Sequence, residues 1–448
     1  MNFSPWIKQL NRTRPVEPIS GNLETDIVIV GGGIAGVSTA YFLLTQTTKR
    51  VVLLEADKIA HGATGHNAGQ VSSDFEVPFS ELVERFGLPQ AAKAQRAIDI
   101  DARVLLRDII ATTRSTISLS EKMGYFGIQT WKELQIDLED VYLKASAGLT
   151  PLPLYVQKEW AETIRIPQKY DGLYELITKE KIGELLETKE EKYVAVSTFL
   201  SGVMNSALFT EQTFLFLKEQ FPDRFVASEG TKVSTVAIEK NGVSIYYNEH
   251  FVKAESVVLC TNGFESFKII NDQEKEIDTS FHEEVYGIVG YMAAYVDGDK
   301  KEPTIIAYES DVRVEDNPYY YVTRRRIDID STLDASLISI GGPQVFLPNR
   351  ATYQKDAPYP LSIVDDIDTF TARTYQRRPQ EMDFHWHGVM GYTRSKVRLI
   401  GPDLHDNRLL YNLGCNGIGI LTSIYGGERI AKYVSGEVLD KSIFDVQL

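Results

Sequence analysis

Three glycines spaced Gly31-x-Gly33-x-x-Gly36, with Glu55 lying 19 residues further on, are the residues best spaced for chemistry. Gly31 allows a tight turn, Gly33 lets backbone approach a pyrophosphate, and Gly36 lets a helix pack against the preceding strand. Ile34 and Ala35 open that helix, whose free N–H groups and positive dipole end suit phosphate. Asp26 to Val30 reads as a buried strand, and Val51 to Leu54 reads as a second one. Glu55 and Ala56 close that second run, where a carboxylate can accept both hydroxyls of a ribose. Together these predict a βαβ unit that binds a dinucleotide. The stretch Asp26 to Leu44 is also apolar enough to imitate a membrane span. Five glycines and serines interrupt it and a strand follows, which favours the βαβ reading.

At 448 residues the chain is long enough for two domains. Hydrophobic residues at 43% and charged residues at 24% describe a soluble globular protein with ample core. A net charge of −15 argues against nucleic acid or an anionic membrane surface as partner, and is compatible with a cationic substrate such as an amine. Cys260 and Cys415 are the two cysteines, without CxxC spacing, which suits a reducing cytoplasm. No cleavable leader, integral membrane segment, repeat or low-complexity linker is read.

Residues 1–24 form a polar, proline-punctuated arm in which Trp6 is the candidate anchor. Residues 60–73 (AHGATGHNAGQVSS) are too poor in large apolar groups to be core. Such a segment after the second strand can lie along the cofactor, which nominates Gly62, Ala63, Thr64, His66, Asn67, Ala68, Gly69 and Gln70. Residues 78–148 read as two or three helices, and 173–187 as another short one. Phe225 to Phe251 alternates like a β-meander, with Asn241-Gly242 as a hairpin turn. Residues 285–345 are β-rich and predict a large antiparallel sheet, followed by a helix over 363–378. Near the C-terminus, a glycine-rich loop precedes a helix over Leu421 to Val434.

These motifs resemble the D-amino-acid oxidase/glycine oxidase superfamily of FAD-dependent amine oxidoreductases. The N-terminal half resembles most the branch containing gamma-glutamylputrescine oxidoreductase, with its Trp-bearing arm, GxGxxG, LEA run and a GASGRNGGQ-like segment matched here by GATGHNAGQ. His66 stands where that branch usually has Arg. The strand ending in CTNG resembles one that returns to the nucleotide-binding sheet, which implies cofactor contact at Thr261, Asn262 and Gly263. The resemblance also implies that Val233 meets the adenine through its backbone. Trp386 to Gly436 resembles the family's closing pattern, implying flavin contact from Gly414, Asn416, Gly417, Gly419 and Ile420. The sequence Arg394 to Arg398 departs from that pattern, which commonly carries Asp and Pro there.

The implied fold is α/β, a Rossmann-type FAD-binding domain of the GR2 type with a second α+β substrate domain on an antiparallel sheet. Residues 25–85, 199–265 and 386–448 are assigned to the first, and 86–198 and 266–385 to the second. FAD is the implied cofactor, because an NAD enzyme needs neither the 62–70 segment nor the GCNGIG loop. The implied activity is oxidation of an amine or amino acid at its C–N bond, with oxygen or another electron acceptor. A dehydrogenase passing electrons to a quinone or carrier protein, a hydroxy-acid substrate and a flavin-binding protein without turnover remain alternatives.

Family members that take amino acids hold the carboxylate with a strand arginine in a Y-x-V-P-R-like setting. Tyr320 to Arg324 resembles it, making Arg324 and Tyr320 the substrate-binding candidates. In a strand Tyr320, Val322, Arg324 and Arg326 share one face; a structural salt bridge is the competing role for Arg324. His66 stands where dimethylglycine dehydrogenase-like relatives carry covalent flavin, so it is either an attachment point or a plain contact. His385-x-His387 lacks a third ligand, and no metal is assigned. Cys415 is read as a small packed residue beside the flavin.

Overall fold

The computed structural model describes residues 2, 4–10, 12–263, 267–277, 284–298, 301–314, 317–327, 335–347, 353–375 and 381–446. Its centre is a six-stranded sheet in the order Leu399–Pro402, Leu409–Leu413, Ser256–Leu259, Ile27–Val30, Val51–Leu54 and Phe225–Ser228. Five of these strands run parallel and the edge strand Leu399–Pro402 is antiparallel to its neighbour. Ile27–Val30 and Val51–Leu54 are buried at every residue, as parallel strands covered on both faces must be.

One face carries the helices Ile34–Gln46, Ser206–Gln220 and Ile420–Val434. The first of these is buried from Ile34 through Leu44, which explains why its sequence imitates a membrane span. It is 13 residues long, and among the described residues no helix is long and apolar enough to cross a membrane. The other face carries a five-stranded sheet that includes the Val233–Glu239 and Gly242–Tyr247 hairpin. Val28, Val30, Val52 and Leu54 pack there against Val236, Ile238 and Ile245.

The third sheet has nine strands, and Val285–Asp297, Thr304–Val314, Asn317–Ile327 and Ala335–Phe346 form its antiparallel middle. It is mixed rather than purely antiparallel, because Thr304–Val314 pairs parallel with Ser120–Ile128. That strand lies inside the stretch read as helices. Gly124 and Gly127 there leave room for the Phe199 and Tyr193 rings, a packing decided across the sheet and invisible in local periodicity. The expected helix over 173–187 divides into strand Glu175–Ile177 and helix Lys179–Leu185, because the Thr178 hydroxyl caps the latter. The helix expected over 363–378 spans Leu361–Tyr375, and its last expected residues, like the strand end at 328–330, lie outside the described residues.

The domain boundaries fall differently from the sequence division. Helix Ala102–Thr113 buries Ala102, Leu106 and Ile109 against the nucleotide-binding layer, packing on Ile420–Val434 and Ser206–Gln220. Strand Phe384–Thr393, assigned from 386 onward to the nucleotide-binding part, pairs with Val285–Asp297 in the nine-stranded sheet.

The N-terminal arm is tied down by charge. Glu229, 2% exposed, accepts both Arg12 and Arg14, at 2.5 Å for the shortest contact of each. Its Oε1 also accepts Ile59 N–H at 2.7 Å, so the carboxylate joins the arm to the loop after Val51–Leu54. Those donors outweigh the cost of burial and hold its pKa at about 2. Because the folded value lies below the ordinary carboxylate value, its stabilisation is present above that value and is lost as pH falls towards 2. Glu229→Gln is expected to lower stability by about 3 kcal/mol at pH 7. Urea denaturation at pH 7 and at low pH checks this, with the difference shrinking in acid.

Candidate active site

The glycine turn works through close approach. Gly31 has φ +110°, and a Cβ on it would sit 2.6 Å from the Cys260 carbonyl oxygen. A Cβ on Gly36 would sit 1.8 Å from the Gly31 carbonyl oxygen, so the first helical turn lies directly on the loop. Gly33 caps the helix without a side chain, and Thr64 Oγ1 accepts Ile34 N–H at 2.9 Å. Ala35 follows in the buried first turn, and Thr261 beside this turn has a buried hydroxyl with no partner among the described residues.

Glu55 is anchored by backbone. Its carboxylate accepts Gly32 N–H at 2.7 Å and Asp57 N–H at 2.8 Å, while burial is the larger influence and raises its pKa. Two acceptors with two lone pairs each leave capacity for further donors. Ala56 beside it is exposed. Thr231 N–H donates to the Glu55 carbonyl at 2.8 Å, which brings Val233, buried at the start of its strand, alongside.

The 62–70 segment is held on both sides. Ala63–Gly65 is a single helical turn, and the Thr64 carbonyl accepts Asn67 Nδ2 at 3.0 Å and Ser206 Oγ at 2.7 Å. Asn67 Oδ1 accepts Gly69 N–H at 2.8 Å, and the Asn67 carbonyl accepts the fully buried Trp6 indole N–H. Ala68 packs on the same core. Gln70 Nε2 then reaches Thr323 Oγ1 of the nine-stranded sheet at 2.7 Å. His66 shares a hydrogen bond between Nδ1 and the Gly62 carbonyl at 2.9 Å, and packs against Gly388. Burial lowers its pKa to about 4, so the ring is neutral near pH 7.

The C-terminal loop docks against strand Phe384–Thr393 through two asparagines with left-handed backbone. Asn262 Oδ1 accepts Cys415 N–H at 3.0 Å, and Asn416 Oδ1 accepts Thr393 N–H at 2.8 Å. Gly263 backbone lies against Gly391. Gly414 and Gly417 also have positive φ, and Gly419 caps the helix that begins at Ile420. Cys415 is half-buried, and desolvation raises its thiol pKa away from the reactive thiolate. Arg398 binds Asn412 through Nε at 2.7 Å and Nη2 at 3.0 Å, while its Nη1 is buried without a partner among the described residues.

Arg324 and Tyr320 do not face these loops. Arg324 makes a two-pronged pair with Glu187, at 2.7 Å to each oxygen, and donates Nε to the Glu302 carbonyl. Tyr320 stacks on Phe370 at 4.3 Å, under helix Leu361–Tyr375. Strand alternation was read correctly, but the inner face holds Tyr319, Tyr321, Thr323 and Arg325. Thr323 meets Gln70, and Arg325 stacks on Trp6 at 4.3 Å. This placement corrects the expected substrate-binding role of Arg324 and Tyr320. His385 and His387 contact Tyr359 and Tyr353, and His387 Nε2 lies 3.1 Å from the Ala357 carbonyl.

Sequence reasoning missed the wall on the inner face. Tyr319 donates its hydroxyl to Glu76 at 3.3 Å, and a Cβ on Gly417 would lie 2.2 Å from Glu76 Oε1 and 2.8 Å from the Tyr392 hydroxyl. Burial raises Glu76 to about 7 and the neighbouring Asp74 to about 6. The available signal was the odd positions of Tyr319-Tyr320-Tyr321, facing opposite to the set chosen.

The fold and this arrangement of glycine-rich turns define a dinucleotide-binding oxidoreductase with a sheet-walled site. The chain belongs to the DAO family of FAD-dependent oxidoreductases, whose model matches residues 26–433. It is 31% identical over 88 residues to gamma-glutamylputrescine oxidoreductase of Escherichia coli, a match covering 20% of each chain. A match to YhfW of Bacillus subtilis, 41% identical over 68 residues, covers 15% of this chain and 13% of that protein. Both spans fall well short of those relatives' full lengths. D-amino acid dehydrogenase of Helicobacter pylori is 21% identical over 437 residues, covering 91% of this chain and 94% of that one. Among solved structures, glycine oxidase from Geobacillus kaustophilus superposes with a TM-score of 0.68 at 16% identity, covering 95% of this chain and 99% of that chain. The protein is therefore an FAD-dependent enzyme. The Thr261 hydroxyl beside the Gly31 turn, which has no partner among the described residues, and the spare acceptor capacity of Glu55 fit such a cofactor.

Replacing Arg324 by Met tests the corrected placement. Thermal stability is expected to fall while KM for the substrate stays within about twofold, a change of roughly 0.4 kcal/mol or less. Steady-state kinetics beside a melting curve separate the two.

Proposed function

We propose that this enzyme oxidises the C–N bond of an amine or amino acid, giving an imine that hydrolyses to a carbonyl compound. Bound FAD supplies the hydride acceptor at N5. The chain's residues hold the cofactor and fix the substrate against it. Gly31, Gly33, Ile34, Ala35 and Gly36 receive the pyrophosphate, Glu55 and Ala56 the ribose, and Val233 the adenine. Gly62 to Thr64, His66 to Gln70, Thr261 to Gly263, and Gly414, Asn416, Gly417, Gly419 and Ile420 surround the flavin half. His66 serves there as a neutral contact, its Nδ1 held at the Gly62 carbonyl and its pKa lowered by burial.

The observation that carries this reading is the convergence of Gln70, Glu76 and Gly417 on one face of the nine-stranded sheet, beside Thr323, Tyr319 and Tyr392. Packed rings and fixed polar groups align a small substrate, and hydride transfer from Cα depends chiefly on such alignment. A dehydrogenase with a quinone or carrier-protein acceptor is the second reading, favoured by the 437-residue match to D-amino acid dehydrogenase.

Anaerobic mixing with a panel of amines and amino acids is expected to bleach the flavin with at least one of them. Peroxide release on admitting air identifies an oxidase, and its absence a dehydrogenase. A protein that binds FAD but is bleached by none would be a binding protein without turnover. Acid precipitation of the holoenzyme is expected to leave the flavin in the supernatant; a yellow pellet would restore His66 as a covalent site.

A further inference from the structure

Strand Phe384–Thr393 runs between the two glycine-rich loops assigned to the flavin half. On its inner face Gly388 abuts His66, where an added Cβ would sit 2.8 Å from the histidine Cβ. At the other end the Tyr392 hydroxyl lies 2.8 Å from where a Cβ on Gly417 would stand. Met390 is the inner residue between them, so it faces the space between the 62–70 segment and the 414–419 loop. The register carries that position across the sheet. Met390 pairs with Ile288 and Ile288 with Phe346, while Tyr392 pairs with Tyr286. Directly opposed residues share a face, so Met390, Ile288 and Phe346 form one row leading away from the loops. The Tyr392 and Tyr286 rings flank it, 6.0 Å apart, and Tyr286 meets Phe346 at 5.4 Å. On one side of the Gly290–Gly388 pair this face is closed, with Trp386, Met292 and Ala294 buried. On the other side it is open: Met390, Ile288, Tyr286 and Tyr392 are half-buried, and Phe346 is 43% exposed. None of these five side chains is an acid or a base of the ammonium or guanidinium kind. A contiguous apolar surface left open beside a reaction site marks a place for a ligand's apolar part.

We propose that the row Met390, Ile288 and Phe346 holds the substrate's uncharged substituent, so that the selected class is an amine bearing an apolar or aryl group. The row spans two strand spacings, about 10 Å, which sets the length of the group it covers. It begins at the cofactor loops, continues unbroken to the surface, and offers no counter-charge to a carboxylate or a second ammonium. Ile288 and Phe346 are therefore the residues that determine specificity. This rests on the amine-oxidation reading and deepens it.

Straight-chain alcohols carry the apolar group without the reacting amine, so their binding is read apart from turnover. The terminal alcohols propanol, pentanol and heptanol are titrated into the holoenzyme, followed by the flavin absorption band. Kd is expected to fall about two- to fourfold for each added methylene, the upper figure being that of full burial. Phe346→Asn alters an exposed position and leaves the packed core untouched, and Ile288→Thr keeps a β-branched strand residue. Each is expected to shrink the propanol-to-heptanol ratio of Kd by about fivefold. Among amines that bleach the flavin, hexylamine is expected to bind at least about tenfold more tightly than its terminal diamine analogue, whose second ammonium would lie on apolar groups. A Kd independent of chain length, no band shift with any alcohol, variants that keep the wild-type ratio, or a diamine that binds as tightly as hexylamine overturns the proposal. If the ratio is unchanged and Phe346→Asn instead dissociates a dimer seen on sedimentation of the wild type, the row is a contact between copies and the proposal fails. If amines bleach the flavin with no preference for chain length, this assignment fails and the amine-oxidation reading stands. If no amine bleaches it while the alcohols show the dependence and the variants lose it, the catalytic reading fails and the binding assignment stands.

Discussion

The site depends on backbone approaching backbone more closely than any side chain allows. Gly36 lies on the carbonyl of Gly31, and Gly427 lies on the backbone of Ser38 and Thr39. The first contact seats the helix Ile34–Gln46 on its own turn. The second draws the C-terminal helix against it, so that two helices begin close to the same glycine-rich loops. Asn412 completes this seam. Gly426 leaves space for its amide, which reaches Thr39 Oγ1 and the Ser423 carbonyl while its oxygen accepts from Arg398. A methyl group at Gly36 or Gly427 would meet backbone, and one at Gly426 would meet the anchored Asn412 amide; close-packed interiors yield little to such intrusions.

Three glutamates show how surroundings assign different work to one residue type. Glu229 is surrounded by two arginines and a backbone N–H, remains charged and fastens the arm. Glu55 is satisfied by two backbone donors and keeps lone pairs in reserve. Glu76 has a single neutral donor among the described residues, and desolvation raises its pKa. The difference is desolvation set against the donors available.

The arm and the nine-stranded sheet meet at the segment after the second parallel strand. Trp6 donates to the Asn67 carbonyl, Arg325 lies over the Trp6 ring, and Gln70 crosses to Thr323. A stretch poor in large apolar residues is thereby held by its neighbours rather than by its own packing. This allows it to be glycine-rich and still ordered beside a cofactor.

The nucleotide-binding half was legible in the sequence because its signals are local. The strand, the glycine turn, the helix and Glu55 lie within 30 residues, from Asp26 to Glu55, and each has a steric reason for its type. The Asn241-Gly242 hairpin was legible for the same reason, Gly242 having φ +134°. Residues 120–128 were read as helical because the cross-strand packing of Phe199 and Tyr193 onto Gly124 and Gly127 has no local trace. Period-2 alternation separates Tyr320 and Arg324 from Tyr319 and Tyr321, but carries no information about which set faces inward. That sign is set by which face of the sheet meets the glycine loops and which meets helix Leu361–Tyr375, a choice made by elements far away in the chain. The sequence by itself determined the dinucleotide fold, because steric rules act between near neighbours. Only the tertiary structure decided which side chains line the inner face of the nine-stranded sheet, because that choice comes from packing between distant segments.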